Sequence, residues 1–383
     1  MDEGPRSLVM SDSMRLWDTL RREVVPFDPP HTVNFYVCGI TPYDSTHVGH
    51  AATMLLYDVV ERRLRDRGHE VRTVRNVTDV DDSILQKAAE LGVNYLDLGL
   101  AGVRQFQEDM EALSVLPSWR QPRATSVIPQ ILLAVSRLLE QGHAYVSEGS
   151  VYFSCRSYAD FGHLSQLDRA EMLEIAAERG GYPEDPAKRD PLDFVLWQAA
   201  RPGEPSWDSQ WGPGRPGWHI ECTAMAMDNF GSDIHLHGGG ADLVFPHHEC
   251  ERAQSDSLAG RRTVHHWVHQ AMVRYHGEKM SKSLGNLVFV RDLREKFDPR
   301  AIRLAILSHH YRSAWDYDET DVPRAADALA RWEAAGPGEG ALEDVRDRLD
   351  DDVDSPGAVE AIDAAVGRGE GVSEAARLLG IEL

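Results

Sequence analysis

Cysteine is scarce in this 383-residue chain: Cys38, Cys155, Cys222 and Cys250 are too few and too far apart for a disulfide framework. They read as reduced thiols of a cytoplasmic protein. Basic residues are also short, 40 against 62 acidic, which leaves a formal charge of −22. Nucleic-acid binders normally carry a basic patch that releases counterions from phosphates, so a polyanion is a poor default partner. No stretch approaches the ~18 consecutive apolar residues that cross a bilayer, and Met1 to Met10 lacks the basic-then-apolar run of a secretory signal. A soluble, cytoplasmic, monomeric protein without membrane association is expected. The acidity is uneven: Asp321 to Leu383 holds 16 acidic and 6 basic residues, a local charge of −10.

At ~150 residues per domain, the length allows two or three domains. Val33 to Ile40 is a short apolar run ending at Thr41-Pro42, as a buried strand closing in a loop would read. Val48, Ala52, Leu55, Leu56, Val59, Val60 and Leu64 then recur at helical spacing until Gly68 stops the pattern. A second β-rich run spans Glu70 to Val77. Strand, helix and strand in that order predict a βαβ unit and a parallel sheet. Between Ser114 and Ser206 the pattern loosens: a helix near Ile128 to Gln141, a strand pair near Ala144 to Cys155, and a charged Gly/Pro-rich stretch from Glu178 to Asp190. This reads as an insertion between two halves of the sheet. Apolar runs at Asp233 to His237 and His266 to Val273 look like returning strands. Helices follow at Ala301 to Ser308 and Ala325 to Ala335, then more helical pieces after a Gly-Pro-Gly break at 336–338. The acidic turn Asp350 to Asp354 reads as a solvated loop.

Two short motifs carry chemistry. His47-Val48-Gly49-His50 falls where the first strand gives way to a helix, and a helix N-terminus offers free N–H groups and partial positive charge to a phosphate chain. Alone, these four residues would also suit an ordinary helix start. Lys279-Met280-Ser281-Lys282-Ser283 sets two lysines three apart, able to neutralise charge on departing pyrophosphate. Alone, it would equally suit a solvated turn. Together, in this order and separated by most of the chain, they form the signature pair of class I aminoacyl-tRNA synthetases. A third group is metal-like: Cys38, Cys222, His247 and Glu251, two thiols, an imidazole and a carboxylate. Its spacing alone fits two buried structural thiols better. His247 and Glu251 share a face if Pro246 opens a helix.

The chain resembles one branch of that class, the cysteinyl-tRNA synthetases and the related ligases that join cysteine to glucosaminyl-inositol with ATP. The likeness rests on Cys38 to Asp44 (CGITPYD), Asn76 to Asp82 (NVTDVDD), Gly217 to Cys222 (GWHIEC) and Phe245 to Glu249 (FPHHE), in consistent order over roughly residues 13 to 320. The resemblance implies an α/β fold: a class I synthetase-type Rossmann (HUP-like) parallel sheet with an insertion and a C-terminal helical domain. It divides the chain into residues 1–113 and 207–298 as the two halves of a catalytic nucleotide-binding domain, 114–206 as a connective insertion and 299–383 as an acidic helical domain. It implies one zinc ion held by Cys38, Cys222 and His247, with Glu251 as a fourth ligand. It assigns phosphate contacts to His47 and His50, and pyrophosphate stabilisation to Lys279 and Lys282. Cysteine and adenylate contacts fall to Cys38, Gly39, Ile40, Thr41, Thr53, Asn76, Val77, Thr78, Trp218, Gly240, Ala241, Asp242 and Val273. ATP is then a substrate, accompanied by Mg2+.

Both relatives first make cysteinyl-adenylate and differ in the acceptor, a tRNA hydroxyl or a glucosamine amine. Four features favour the amine. Only 100 residues follow Ser283, and their acidity suits tRNA poorly. Glu178 to Pro183 (ERGGYP), with the Lys188 to Asp193 and Pro202 to Trp207 stretches after it, is similar to the amino-sugar ligases. CGITPYD and Asn286 to Val290 are also ligase-like. Three features depart: Tyr182 stands where an aspartate is expected, Glu251 restores a ligand typical of the tRNA enzymes, and His237 is synthetase-like. Expected partners are therefore L-cysteine, ATP and an amino sugar; tRNA or another amine is the runner-up acceptor.

Overall fold

The chain begins with a hairpin, β1 (Met14–Asp18) and β2 (Glu23–Phe27), and enters the βαβ unit read from its apolar spacing: β3 (Thr32–Ile40), α1 (Val48–Asp66) and β4 (Glu70–Val77). The computed structural model describes residues 13–43, 45–280 and 285–383. Three helices follow, α2 (Asp82–Leu91), α3 (Tyr95–Ala112) and α4 (Ile128–Glu140). An antiparallel sheet then forms from β5 (Ala144–Ser147), β6 (Ser150–Phe153), β7 (Phe194–Ala199) and β8 (Gly214–Pro216), with α5 (Arg169–Glu178) between β6 and β7. The path returns through α6 (Trp218–Phe230), β9 (Ile234–Gly240), α7 (Glu249–Ala259) and β10 (Val264–Gln270). Beyond lie β11 (Val273–Tyr275), β12 (Glu278–Lys279), α8 (Val290–Arg294), α9 (Pro299–Leu307) and β13 (Trp315–Asp316). The chain closes with α10 (Asp321–Ala335), α11 (Leu342–Asp350), α12 (Ser355–Gly367) and α13 (Ser373–Leu378).

The main sheet is wholly parallel in the order β4–β3–β9–β10. Strand β3 is apolar almost throughout because both its faces are covered. Phe35 and Val37 face a core shared with Leu55 and Leu64 of α1 and with Ile302, Trp332, Leu349 and Ile362 of the C-terminal helices. Tyr36, between them, faces a second core with Ile131, Trp197, Met225 and Trp267. Connections leave β3 toward β4 on one side and return to β9 on the other. The C-terminal ends of β3 and β9 therefore frame the crevice expected at a reversal of strand order.

Two expectations need correction. The last returning strand stops at Gln270 instead of reaching Val273, because the Ala271 amide turns aside to the Tyr311 carbonyl at 2.7 Å and Val273 joins β13 in another sheet. The acidic turn after α11 is an internal tie, not a solvated loop. Asp350 accepts from Arg63 Nη2 and Arg67 Nη1 at 2.7 and 2.8 Å. Asp352 is buried and accepts from the Trp17 amide at 2.8 Å and from the Tyr311 hydroxyl. Asp354 caps α12 through the Gly357 amide at 2.9 Å. These bonds hold Asp352 and Val353 at φ of 59° and 52°, a left-handed conformation that a β-branched residue rarely adopts.

The helices after residue 298 are fastened to α1 by a buried ion pair. Arg303 donates to Asp58 and to the Leu113 and Leu379 carbonyls, the latter two at 2.8 and 2.5 Å. A Cβ on Gly380 would stand 2.3 Å from Arg303 Nη2, so only glycine lets the guanidinium reach Leu379. Burial opposes the Asp58 charge, but Arg303, Arg62 and the Leu116 amide outweigh it and hold the carboxyl below its usual range. Arg303→Met should therefore cost about 3–5 kcal/mol, read by urea denaturation near neutral pH, because it strands a buried carboxylate. A group with a depressed folded pKa stabilises fully above its unfolded value, here 3.8, and loses that contribution as pH falls through the lower folded value. The difference between variant and wild type should thus shrink in acid.

Candidate active site and metal cluster

The floor of the crevice is built by close backbone approaches. A Cβ on Gly39 would lie 2.0 Å from the Asn76 carbonyl oxygen, so β3 and β4 converge there only through glycine. The Gly39 amide donates to Asn76 Oδ1 at 2.8 Å, Asn76 Nδ2 to Thr78 Oγ1 at 3.1 Å, and the Thr78 amide to the Ile40 carbonyl at 2.9 Å. On the far side, the Tyr57 hydroxyl of α1 lies between the Gly239 and Val268 carbonyls at 2.9 and 2.7 Å. A Cβ on Gly238 would fall 2.2 Å from that hydroxyl. The glycine triplet thus lets the signature helix lie against β9.

His47 caps α1: its Nδ1 accepts from the His50 amide at 3.3 Å and the two rings stack with centroids 4.0 Å apart. Thr53, one turn on, donates to the Gly49 carbonyl at 3.1 Å. The cleft is lined by His47, His50 and Thr53 on one side, by Gly39, Ile40, Thr41, Asn76 and Thr78 below, and by Trp218, Gly240, Asp242 and Val273 across it. Val77 is instead buried in β4, and Ala241 lies beside the cleft without lining it. Lys279 contributes its backbone to β12, while Lys282 lies outside the described residues.

The metal-like residues converge. Ligand-type atoms of Cys38, His247, His248 and Glu251 all lie within 4.8 Å of one another, and all four residues are buried. Glu251 Oε2 stands 3.5 Å from Cys38 Sγ, 3.4 Å from His247 Nε2 and 3.7 Å from His248 Nε2. Bonds of ~2.0–2.3 Å to a tetrahedral cation would put ligand atoms roughly 3.3–3.8 Å apart, so the spacing suits one. Glu251 Oε1 is buried with no hydrogen-bond partner, as an orphaned ligand oxygen would be. His237 Nε2 also reaches Glu251 Oε2, at 3.3 Å. Cys222 neighbours Cys38 but lies outside this four-atom group, where His248 stands instead. The regular helix begins at Glu249; His247 sits on an irregular turn before it yet still meets Glu251 four residues on.

The surroundings orient and neutralise these ligands. Burial lowers His247 and His219 to about 3, so both are neutral imidazoles. His219 Nδ1 lies 2.9 Å from His247 Nδ1, which leaves Nε2 of His247 free to face Glu251. His248 is held likewise: Thr19 Oγ1 meets His269 Nδ1 at 2.7 Å, and His269 Nε2 meets His248 Nδ1 at 2.7 Å. Burial and the neighbouring Cys222 push the Cys38 thiol well up, so the thiolate form requires a cation beside it. Trp218 stacks on His247 with centroids 4.3 Å apart, and Cys38, Cys222, His247 and Trp218 all line the cleft.

The antiparallel sheet lines the other wall of the cleft. Arg179 of the ERGGYP stretch donates to the Phe245 carbonyl at 3.0 Å and also to the Asp242 carbonyl, tying that stretch to the loop before His247. Sequence reasoning gave no role to His219, His248, His269 or Thr19. The adjacent His247-His248 pair was a signal for one of them; the others meet only through the fold.

The chain matches the catalytic domain of class I (C) tRNA synthetases over residues 25–327. It is 46% identical to the L-cysteine:1D-myo-inositol 2-amino-2-deoxy-alpha-D-glucopyranoside ligase of Streptosporangium roseum, covering 94% of this chain and 90% of that one. Identity to the ligase of the same name from Gordonia bronchialis is 48%, with 94% and 91% covered. Among solved structures, Mycobacterium tuberculosis methionyl-tRNA synthetase with methionyl-adenylate superposes at TM-score 0.65 and 19% identity, over 88% of this chain and 82% of that one. A leucyl-tRNA synthetase ternary complex from Agrobacterium radiobacter K84 also gives TM-score 0.65, at 11% identity, over 92% and 83%. Both likenesses concern the fold. The chain belongs to the class I synthetase family, in the branch of these cysteine ligases.

Gly238→Ala tests the close approach of α1 to β9. The added methyl should cost about 1–3 kcal/mol by forcing Tyr57 away from the strand, read as a lowered melting temperature. Tyr57→Phe in the same background should recover part of that loss.

Proposed function

We propose that this chain is an ATP-dependent, AMP-forming ligase that activates L-cysteine as cysteinyl-AMP and joins it to the amine of glucosaminyl-inositol, a step of mycothiol biosynthesis. The observation that carries the reading is a buried thiol–imidazole–carboxylate cluster at the crevice of a class I synthetase sheet, in a chain that shares nearly half its residues with ligases of that name over most of its length. Residues 1–113 and 207–298 act as the catalytic domain, 114–206 as its roof and 299–383 as its buttress.

In the first step the cysteine carboxylate attacks the α-phosphorus of ATP and pyrophosphate leaves. No protein nucleophile is needed; positioning and charge stabilisation lower the barrier. His47 and His50 contact the phosphates at the N-terminus of α1, and Lys279 and Lys282 neutralise the departing pyrophosphate, with Mg2+ accompanying ATP. Gly39, Ile40, Thr41, Asn76, Thr78 and Trp218 hold the cysteinyl end. Thr53, Gly240, Asp242 and Val273 hold ribose and adenine. Cys38, Cys222, His247 and Glu251 hold zinc, with His248 an alternative to Cys222. When bound there, zinc supplies a thiophilic position that a thiolate fills well and a serine hydroxyl poorly, which selects cysteine without a separate editing site.

Purified protein should carry one zinc per chain, and Cys38→Ala should remove it; unchanged metal content would refute the ligand set. Cysteine should support ATP–pyrophosphate exchange where serine does not, and Lys282→Ala should slow that exchange by about 100-fold. Glucosaminyl-inositol should yield an amide where tRNA yields no charged product. Charging of tRNA without amide formation would overturn the acceptor.

A further inference from the structure

Amide formation releases a proton from the attacking nitrogen, and none of the residues assigned above takes it. Asp81 is placed to do so. It follows β4 and caps α2, with Oδ1 accepting from the Ile84 amide at 2.9 Å. Its Oδ2 accepts from Thr41 Oγ1 at 3.3 Å. Thr41 lies on the segment that runs from Cys38, at the metal cluster, to His47, at the phosphate end. A cysteinyl-adenylate fixed by its thiol at one end and its phosphate at the other must hold its carbonyl between them, alongside this segment. Asp81 and Thr41 both line the cleft there.

The groups around Asp81 fit a basic role. Asp82 on α2, Asp79 before it and Glu221 on α6 are its acidic neighbours, and Arg215 of β8, the cation beside Glu221, is engaged by Asp82 and by Glu204 at 2.8 Å. Burial chiefly, with Asp82 adding to it, lifts the Asp81 carboxyl to about 6 against the hydrogen bonds from Ile84 and Thr41. It is thus ionised at neutral pH and close to the optimum for a general base.

We propose that Asp81 is the proton acceptor of the second step and contacts the acceptor amine. The neutral amine attacks the carbonyl carbon of the adenylate; the C–N bond forms, and the C–O bond to phosphate breaks with its electron pair leaving on AMP. The surplus nitrogen proton passes to the Asp81 carboxylate, which later returns it to water. This rests on the cysteinyl-adenylate reading above.

Asp81→Asn tests it, since asparagine preserves the helix cap. Cysteinyl-adenylate is formed on each protein and mixed with glucosaminyl-inositol in a single turnover, and ATP–pyrophosphate exchange is measured alongside. The ratio of transfer to exchange should fall by about 100-fold or more in Asp81→Asn. Wild-type transfer, divided by the neutral fraction of the acceptor amine at each pH, should decline as pH falls below about 6, and the variant should lack that limb. An unchanged ratio, or a limb that persists in the variant after the same division, would overturn the assignment. If wild type forms adenylate but no amide with the amino sugar, the proposed acceptor fails, and the same ratio measured with hydroxylamine as the amine still decides the role of Asp81.

Discussion

The reversal of strand order at β3 is the constraint on which the molecule depends. With β4 on one side and β9 on the other, the chain must leave the carboxyl end of β3 in one direction and return to its neighbour from another, so nothing in the main sheet fills the gap between those ends. Cys38 stands near the end of β3 at that gap, α1 starts from it, and the glycine triplet of β9 borders it. The antiparallel sheet is inserted between β4 and β9 in sequence and walls the same opening.

A gap of this kind is useful only if its edges stay put, and α1 is the edge under most demand. Its N-terminus presents the histidine pair, its middle is pressed on β9 by Tyr57, and its last turns meet Asp350 through Arg63 and Arg67. The C-terminal acidity therefore has a mechanical use as well as an electrostatic one: part of it meets guanidinium groups of the catalytic helix. The carboxylate of Asp350 immobilises the last turns of the helix that borders the crevice.

The β3–α1–β4 unit was legible because its periodicity changes cleanly from strand to helix and back, and Gly68 marks the break. The signature motifs were legible because each brings its chemistry in a short string, whereas Cys38, His247 and Glu251 were grouped through the family resemblance, since the thiol lies more than 200 residues from its partners. The orienting histidines were not: His219, His248 and His269 come from α6, the turn before α7, and β10, and only the assembled sheet brings them together. Composition also misled at Asp350 to Asp354, since a run of carboxylates looks solvated until its arginine, tyrosine and backbone partners, distant in sequence, are known. Helices α2 and α3 escaped reading although Asp81, at the head of α2, lay in a recognised motif.

The Asp58–Arg303 pair also dictates an order of events during synthesis. Its partners are 245 residues apart in sequence, so α1 leaves the ribosome long before the guanidinium that neutralises its carboxylate exists. Until α9 arrives and Leu379 and Gly380 close around Arg303, Asp58 cannot be dried without a large penalty, and the α1 surface must stay wet. Final consolidation of α1 is thereby deferred until α9 and the residues through Gly380 have been made, so the helix at the edge of the crevice is fixed by contacts that arise more than 200 residues after it.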